Sequence, residues 1–203
     1  MNFASDFSEC LIYTFDNNKI INYMNKKILL IISGSIAAYK ALDLIRLLKK
    51  NFFEVQCVLT KGAKEFVTPL SVSSISENKI YDDVFSLKDE SEMGHIRLSR
   101  EADLIVLAPA TADIIGKMAN GLADDLASTI LLATDKDILV VPAMNIKMFS
   151  NNAVQRNVTT LLKDGIIFVG PEDGELACGE KGMGRMSEPD TILKSIKEYF
   201  NNA

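Results

Sequence analysis

Cys178, His95 and Asn145 are the residues of this sequence whose types and surroundings best suit chemistry. Cys178 lies in a run from 174 to 186 that is rich in glycine. Because glycine has no Cβ, its backbone can take positive φ and fold tightly over a ligand. We therefore expect this run to be neither strand nor helix, and to present the Cys178 thiol on a mobile loop. The alternative is that Cys178 is a small apolar residue that fills a gap in the core, as many free cysteines do.

His95 is the sole histidine of the chain. A neutral imidazole is a suitable general base near pH 7, although a lone histidine is more often structural or merely exposed. Gly94 precedes it, which favours a loop over a helix interior. Asn145 closes the segment Pro142-Ala-Met-Asn145 after a strongly apolar run. Its amide can both donate and accept hydrogen bonds, which suits a carboxylate or amide ligand, or it caps the helix that follows.

The turn from Ser33 to Ala38 is a candidate anion site. It joins an apolar run to an amphipathic one, where free N–H groups at a helix start attract negative charge. Gly34 allows close backbone approach, Ser35 adds a hydroxyl, and Ile36 follows. The segment lacks the Gly-x-Gly-x-x-Gly dinucleotide fingerprint, so we expect a mononucleotide. A simple strand-to-helix turn with a serine cap explains the same residues.

Two further strand ends carry small or hydroxylated residues. Thr60 follows the second apolar run. The third apolar run ends in residues whose small side chains would let a flat ring approach the backbone and whose polar groups could contact it: Pro109, Ala110, Thr111, Ala112 and Asp113. A helix cap by Thr111 or Asp113 is the alternative.

Apolar runs alternate with amphipathic segments along the chain. The pattern predicts buried strands at 28–32, 55–59, 104–108, 138–141 and 166–169, and helices at 36–50, 112–118, 125–133 and 190–200. In the first helix, Lys40, Asp43 and Arg46 fall on the polar face. Repeated β-α-β predicts an α/β fold: a three-layer αβα arrangement around a parallel, Rossmann-like sheet, with ligands at the carboxyl ends of the strands.

Composition excludes several classes of protein. A net charge of −5 without a dense basic cluster argues against nucleic acid, and no apolar run approaches the length of a membrane span. Three cysteines and one histidine indicate neither a disulfide framework nor a metal site, and they fit a reducing cytoplasm. In residues 1–23 the apolar and polar residues follow no lasting periodic pattern. We expect them to be a leader, either upstream of a natural start at Met24 or loosely docked, and we expect 24–203 to be one domain.

Together these residues resemble the homo-oligomeric flavin-containing cysteine decarboxylases, from about Lys27 to Phe200. Three motifs carry the resemblance: Pro142-Ala-Met-Asn145 with Met148, Ala177-Cys-Gly179 with Gly182-Met-Gly-Arg-Met186, and Gly94-His-Ile96. The nearest branch of that family acts on phosphopantothenoylcysteine in coenzyme A biosynthesis. Phe149 stands where the family commonly has Trp, and Asp113 where it often has Asn. We expect both departures to shift flavin contacts without abolishing them.

The resemblance implies FMN as cofactor and a set of site residues. The implied flavin contacts are Gly34, Ser35, Ile36, Thr60, Phe66, Pro109, Ala110, Thr111, Ala112, Asp113 and Ser128. The implied substrate contacts are Ala143, Met144, Asn145, Met148, Ala177, Arg185 and Met186.

The resemblance also implies a reaction: transient oxidation of the substrate thiol to a thioaldehyde, loss of CO₂, and re-reduction to phosphopantetheine. His95 would assist the oxidation, Asn145 would hold the carboxylate, and Cys178 would donate the last proton. The family assembles as trimers or as dodecamers of trimers, and the small apolar surface from Gly116 to Ser128 is the expected contact.

Three other functions remain as alternatives. A flavin prenyltransferase would share the glycine-serine turn but has no use for Asn145 and Cys178 in their motifs. A peptidyl-cysteine decarboxylase would keep Asn145 but usually lacks the Cys178 motif. A non-catalytic phosphatase-binding relative would be expected to lose His95 or carry acidic tails. The family's bifunctional members continue into a nucleotide-dependent ligase domain, so we expect this sequence to be either a stand-alone decarboxylase or the decarboxylase part of such a longer protein.

Overall fold

The computed structural model of the chain describes residues 23–82, 94–177 and 179–202, without the side chain of His95. Within these residues, a six-stranded parallel sheet has the strand order β3-β2-β1-β4-β5-β6. Its strands are β1 Lys27–Ile32, β2 Glu54–Leu59, β3 Ile80–Tyr81, β4 Leu104–Ala110, β5 Ile138–Pro142 and β6 Ile167–Phe168. The predicted parallel, Rossmann-like sheet is confirmed.

Helices cover both faces of this sheet. They are α1 Tyr39–Lys50, α2 Pro69–Ser76, α3 Gly94–Glu101, α4 Ala112–Ala119, α5 Leu126–Ala133, α6 Ile146–Phe149, α7 Asn152–Lys163 and α8 Pro189–Asn202. A 3-10 turn, Ile36–Ala38, precedes α1, so the α-helix begins later than the predicted residue 36. Helices α2 and α7 were not predicted. Both begin after a side-chain cap, Thr68 for α2 and Asn151 for α7.

Each central strand contributes side chains to two separate hydrophobic cores, because successive side chains point to opposite faces of the sheet. From β1, Leu30 and Ile32 pack with α1 and α8, whereas Leu29 and Ile31 pack on the other face. That second face is covered by apolar residues of α4, α5 and α7, among them Ile114, Ile130 and Leu161. This explains why β1 is apolar at almost every position, and it confirms the three-layer αβα architecture.

Strand order reverses direction between β1 and β4. The chain runs outward from β1 to β2 and β3 on one side, and from β4 to β5 and β6 on the other. In such sheets the loops that leave the two central strands part at this point, which opens a crevice beyond their carboxyl ends. The turn after β1 and the turn after β4 flank it, and they are the two turns that carry the glycine-serine and proline-alanine-threonine residues.

The glycine-rich run forms an antiparallel hairpin of strands β7 Glu172–Glu175 and β8 Lys181–Arg185. The prediction that this run is neither strand nor helix is therefore wrong. Glycine is a poor strand residue by composition, but it allows another backbone to approach closely. A Cβ on Gly182 would lie 2.9 Å from the Cδ1 of Ile146, and a Cβ on Gly184 would meet the carbonyl oxygen of Met144. The glycines are thus required by how the hairpin packs.

Two other predictions need correction. Gly94 and His95 lie in the first turn of α3, where a loop was expected. The strand predicted to end at Ala108 continues to Ala110 through Pro109. A proline is tolerated there because the pairing with β5 shifts register between Leu107 and Ala110.

Tyr23 belongs to the fold and is buried, with its ring stacked on Phe53 at 5.3 Å between centroids. Residues 1–22, the rest of the expected leader, lie outside the described residues. Within the described part of the chain, no helix is long and apolar enough to cross a bilayer.

Candidate functional site

A cavity of about 810 Å³ occupies the crevice at the carboxyl end of the sheet. It lies between the turns after β1 and β4, the loop after β5, and the β7–β8 hairpin. Thirteen of the residues singled out from the sequence line it: Gly34, Ser35, Ile36, Phe66, Thr111, Ala112, Ala143, Met144, Asn145, Met148, Ala177, Arg185 and Met186. The fold therefore brings together the glycine-serine turn, the asparagine motif and the hairpin, which are far apart in sequence.

A second cavity of about 380 Å³ adjoins the first and shares Gly34, Thr111, Ala112 and Met148 with it. Thr60 and Asp113 line this smaller cavity, together with Lys61 and Lys117. The Oγ1 of Thr60 accepts a hydrogen bond from the amide of Ala63 at 3.2 Å. This end of the crevice therefore carries both signs of charge, with Asp113 and Asp125 beside the two lysines.

The turn after β1 is fixed by its own hydroxyl and by a close backbone contact. The Oγ of Ser35 accepts from the amide of Ala37 at 3.2 Å and caps the 3-10 turn. A Cβ on Gly34 would lie 2.7 Å from the carbonyl carbon of Gly62. Position 34 must therefore be glycine, because the backbone of the turn after β2 lies against it. The two turns are in contact here, at the edge of the cavity.

Ser33 joins the two sides of the crevice, a role that the sequence analysis did not predict for it. This buried residue donates from Oγ to the carbonyl of Pro109 at 2.7 Å and accepts from the amide of Thr111 at 3.2 Å. The bond crosses from the end of β1 to the end of β4. A hydroxyl at the end of an otherwise apolar strand was the available signal.

The residues after β4 divide into structural and accessible ones. Pro109 and Ala110 belong to the strand, and the carbonyl of Ala110 accepts from the amide of Ala143 at 2.9 Å. Thr111 caps α4. The Asp113 carboxylate is exposed and lies 3.4 Å from the Nζ of Lys117.

Lys117 lies among three carboxylates, those of Asp113, Asp124 and Asp125. The hydrogen bond with Asp124 is the main cause that raises the pKa of Lys117, and the same bond lowers the pKa of Asp124. The lysine is therefore positively charged at neutral pH, and its charge is largely balanced by its neighbours.

Three expected flavin contacts, Pro109, Ala110 and Ser128, line neither of these two cavities. Ser128 is placed beside α4 and α5 instead. It is buried at the start of α5, where its Oγ and its amide both bond to the Asp125 carboxylate at 2.7 Å. It lines a separate cavity of about 150 Å³ beside α4 and α5. Within one chain, Ser128 thus serves as part of a helix cap.

Asn145 caps helix α6 and lines the large cavity at the same time. Its Oδ1 accepts from the amide of Met148 at 2.7 Å. The cap therefore uses the acceptor oxygen, which leaves the two side-chain N–H groups as donors. Both sequence interpretations, helix cap and ligand contact, are compatible with this geometry.

Arg185 connects the hairpin to the segment that follows it. Its guanidinium lies 3.2 Å from the Oε2 of Glu172 on the paired strand and 3.8 Å from the Oε1 of Glu188. Its Nε is buried without a hydrogen-bond partner. The guanidinium of Arg185 therefore has a fixed orientation, because carboxylates on two different segments pair with it.

Lys40 is buried and lines the cavity, although its helical position predicted the polar face. Its Nζ donates to the Oε1 of Glu188 at 2.8 Å and to the carbonyl of Met186 at 3.1 Å. The prediction from periodicity is therefore wrong here, because the hairpin segment covers this part of α1.

The backbone of His95 opens α3, but its side chain lies outside the described residues, and so does Cys178. Cys178 follows Ala177, which lines the large cavity. The described residues hold no cluster of three or more histidine, cysteine or acidic side chains that would bind a metal.

A mononucleotide with a flat ring fits the residues that are present. The two adjoining cavities lie within the range that small-molecule sites occupy. Their shared wall consists of three small residues, Gly34, Thr111 and Ala112, and of Met148, and the hydroxyls of Ser35 and Thr60 can bind a phosphate or sugar.

Comparison with protein-family models identifies residues 17–201 as a Flavoprotein domain. This chain belongs to the Flavoprotein family. The match extends over nearly the whole described fold, including the hairpin and α8.

Two kinds of relatives of this flavoprotein are informative. The coenzyme A biosynthesis bifunctional protein CoaBC of Vibrio vulnificus is 50% identical over 175 residues, which is 86% of this chain and 44% of that protein. The CoaBC protein of Bacillus subtilis is 43% identical over 176 residues, or 87% of this chain and 43% of that protein. This flavoprotein therefore spans less than half the length of these curated relatives.

Solved structures match along almost their full length. A cysteine-to-serine mutant of PPC decarboxylase, complexed with pantothenoylaminoethenethiol, gives a TM-score of 0.80 at 34% identity and covers 87% of this chain and 99% of that one. The FMN binding protein AtHal3 gives 0.79 at 34% identity, with 88% and 98% covered.

Proposed function

We propose that this flavoprotein is an FMN-dependent decarboxylase that converts phosphopantothenoylcysteine to phosphopantetheine in coenzyme A biosynthesis. The observation that carries the proposal is the docking of the β7–β8 hairpin on the Asn145 loop. It brings the Ala177 and Arg185 segments to the same cavity as the glycine-serine turn. The PPC decarboxylase and CoaBC relatives support the same activity.

FMN is the proposed cofactor because the chain offers one phosphate-binding turn and lacks a second nucleotide fingerprint. The turn at Gly34, Ser35 and Ile36 would hold the phosphate. Thr60, Phe66, Thr111, Ala112 and Asp113 would surround the ring and its ribityl chain, and Pro109 and Ala110 would support them from the end of β4. Bound FMN supplies the reversible two-electron oxidation that makes loss of CO₂ from a cysteine carboxylate possible.

Asn145 is the proposed carboxylate ligand. Its Oδ1 is held by the Met148 amide, so its NH₂ group has a fixed direction and can donate to a substrate oxygen. Ala143, Met144 and Met148 would contact the rest of the substrate from the same loop. A donor that is oriented before the substrate arrives loses little conformational freedom on binding.

His95 and Cys178 are the proposed proton carriers. A neutral histidine is a suitable base for the thiol oxidation near pH 7. A cysteine with an ordinary pKa of about 8.5 stays mostly protonated at neutral pH and can donate the final proton. The hairpin, with Ala177, Arg185 and Met186, would bring the cysteine to the substrate.

The proposed assembly is a trimer, or a dodecamer built from trimers, with a contact around Gly116–Ser128. Leu122 in this segment is a large apolar side chain that is 54% exposed in the isolated chain. In that assembly Ser128, which lies apart from the cavity of its own chain, would contribute to a flavin site at the interface.

The test uses the full chain, purified and supplied with FMN. Under anaerobic conditions, we expect phosphopantothenoylcysteine to yield equal amounts of CO₂ and phosphopantetheine without an added oxidant. The flavin released on denaturation should be FMN. FAD as the released flavin, preferred turnover of a peptide that ends in cysteine, or transfer of an isoprenyl group to the flavin would each reject the proposal.

A further inference from the structure

We propose that Lys40 is a positioning residue that fixes the carboxyl end of the β7–β8 hairpin against helix α1. Lys40 would thereby couple the flavin-side turn to the hairpin. The catalytic consequence of this inference rests on the proposed decarboxylase function. The positioning itself rests only on contacts within the chain.

The environment of Lys40 is unusual for a lysine. The residue is 8% exposed and stands two positions after the 3-10 turn that follows the glycine-serine segment. Lysine is rarely buried to this extent unless it is paired. A desolvated ammonium group is costly unless an acceptor or an opposite charge compensates it, so its partners indicate what the residue does.

Both partners of Lys40 belong to the segment that leaves the hairpin. The ammonium donates to the carbonyl of Met186 at 3.1 Å and to the Glu188 carboxylate at 2.8 Å. Met186 directly follows strand β8 and is itself 1% exposed. The lysine thus binds the backbone of the hairpin's exit as well as a side chain beyond it.

Glu188 extends the contact to the hairpin itself. The same Oε1 atom that accepts from Lys40 lies 3.8 Å from the guanidinium of Arg185, which also pairs with Glu172 on strand β7. A chain of charges therefore runs from helix α1 through Glu188 and Arg185 to the far strand. Loss of Lys40 would leave the Met186 carbonyl without this donor and Glu188 with Arg185 alone.

A second attachment holds strand β8 two residues before Met186. The amide of Met144 donates to the carbonyl of Gly184 at 3.0 Å. Lys40 on helix α1 thus binds Met186, and Met144 on the Asn145 loop binds Gly184. The two bound positions lie two residues apart at the end of strand β8. With both attachments in place, strand β8 has one orientation over the cavity.

The test compares Lys40→Met with Lys50→Met in the full-length protein. Methionine keeps the apolar stem of lysine and removes the ammonium, and Lys50 is an exposed lysine at the end of the same helix. Hydrogen exchange of the hairpin amides is measured beside that of strand β1. We expect exchange in 172–185 to accelerate about tenfold in Lys40→Met, the scale of one lost charge-assisted hydrogen bond, and to stay unchanged in Lys50→Met.

Kinetics adds a second readout. Lys40→Met should raise the KM for phosphopantothenoylcysteine about tenfold, because the hairpin beside the substrate cavity loses one of its two attachments. Glu188→Gln, at a half-exposed position, should produce a smaller effect of the same kind. The double variant should be no worse than Lys40→Met alone, since the two residues act through one contact.

Unchanged hairpin exchange in both Lys40→Met and Glu188→Gln would overturn the inference, and so would exchange that accelerates equally in strand β1. If Lys40→Met does not fold, Glu188→Gln decides by the same measurement. If the wild-type protein shows no decarboxylation, the proposed function fails, while the exchange data still decide whether Lys40 positions the hairpin.

Discussion

Gly184 and Met144 form a backbone contact that joins the two parts of the candidate site. The Gly184 carbonyl accepts from the Met144 amide at 3.0 Å, and a Cβ on Gly184 would meet the Met144 carbonyl oxygen. Gly184 also has φ +152, a conformation that residues with a side chain rarely adopt. The hairpin can therefore lie this close to the Asn145 loop only with glycine at this position.

Gly184→Ala should detach the hairpin from the Asn145 loop and leave the sheet intact. We expect the KM for phosphopantothenoylcysteine to rise about tenfold or more, because the added methyl group separates the two backbones. Steady-state kinetics measures the change. Gly165→Ala is the control, since Gly165 also has positive φ (+89) but no atom lies within 4 Å of its added Cβ. An equal rise of KM in both variants would show that backbone strain at a positive-φ residue, and not the contact with Met144, causes the rise.

Asn145→Asp should separate the two roles of this residue. An aspartate caps a helix as well as asparagine does, so the midpoint of thermal unfolding should change little, whereas Asn145→Ala should cost about 1 kcal/mol. Both variants should lose decarboxylation about a hundredfold, since the donor to the substrate carboxylate is gone. Asn151→Asp, at the cap of α7, should keep full activity. An active Asn145→Asp enzyme would leave Asn145 with the capping role only.

Gly34→Ala should weaken flavin binding more than Gly62→Ala does. The new Cβ would lie 2.7 Å from the Gly62 carbonyl carbon in the first variant, and 3.3 Å from the Gly34 Cα in the second. The larger displacement moves the phosphate turn, so we expect FMN affinity to fall by about tenfold or more in Gly34→Ala. Quenching of flavin fluorescence measures both values. Flavin affinity that is unchanged in Gly34→Ala would place the phosphate elsewhere.

Cys178→Ser and His95→Asn should stop the reaction at different stages. With serine at 178, oxidation and loss of CO₂ should proceed, and an ene-thiol should accumulate with reduced flavin, because a hydroxyl is a much weaker acid than a thiol. With asparagine at 95, the flavin should stay oxidised and yellow. Anaerobic mixing followed by flavin absorbance and mass spectrometry distinguishes them. Full phosphopantetheine production by Cys178→Ser would return Cys178 to a structural role.

Stability should fall with rising pH in the alkaline range because of Tyr199. Burial, and then the hydrogen bond to Asp137, raises the pKa of Tyr199 to about 12. The unfolded residue titrates near pH 10, so between about pH 10 and pH 12 the native protein binds more protons than the unfolded chain. This contribution is fully present below about pH 10 and is lost towards pH 12. The free energy of unfolding, measured with urea at several pH values in this window, should fall less steeply with pH in Tyr199→Phe than in the wild-type protein. An equally steep fall would assign the loss to other groups.

The sequence determined the sheet and the edge at which the site lies. Buried parallel strands are continuous apolar runs, so 28–32, 104–108 and 138–141 could be recognised from composition and spacing alone. Because the carboxyl ends of such strands meet at one edge, the residues that follow them could be expected to converge. Gly34, Thr111 and Asn145 do line one cavity.

Only the tertiary structure decided the hairpin and the role of Lys40. Local propensity opposes a strand at 181–185, and the strand forms because it pairs with Glu172–Glu175 and packs on Met144, some forty residues away in the chain. Helical periodicity assigned Lys40 to the polar face, but its acceptors on Met186 and Glu188 are 146 and 148 residues away. The sequence around Lys40 cannot reveal contacts with residues so far away in the chain. Whether a charged side chain is buried depends on which distant segment covers it.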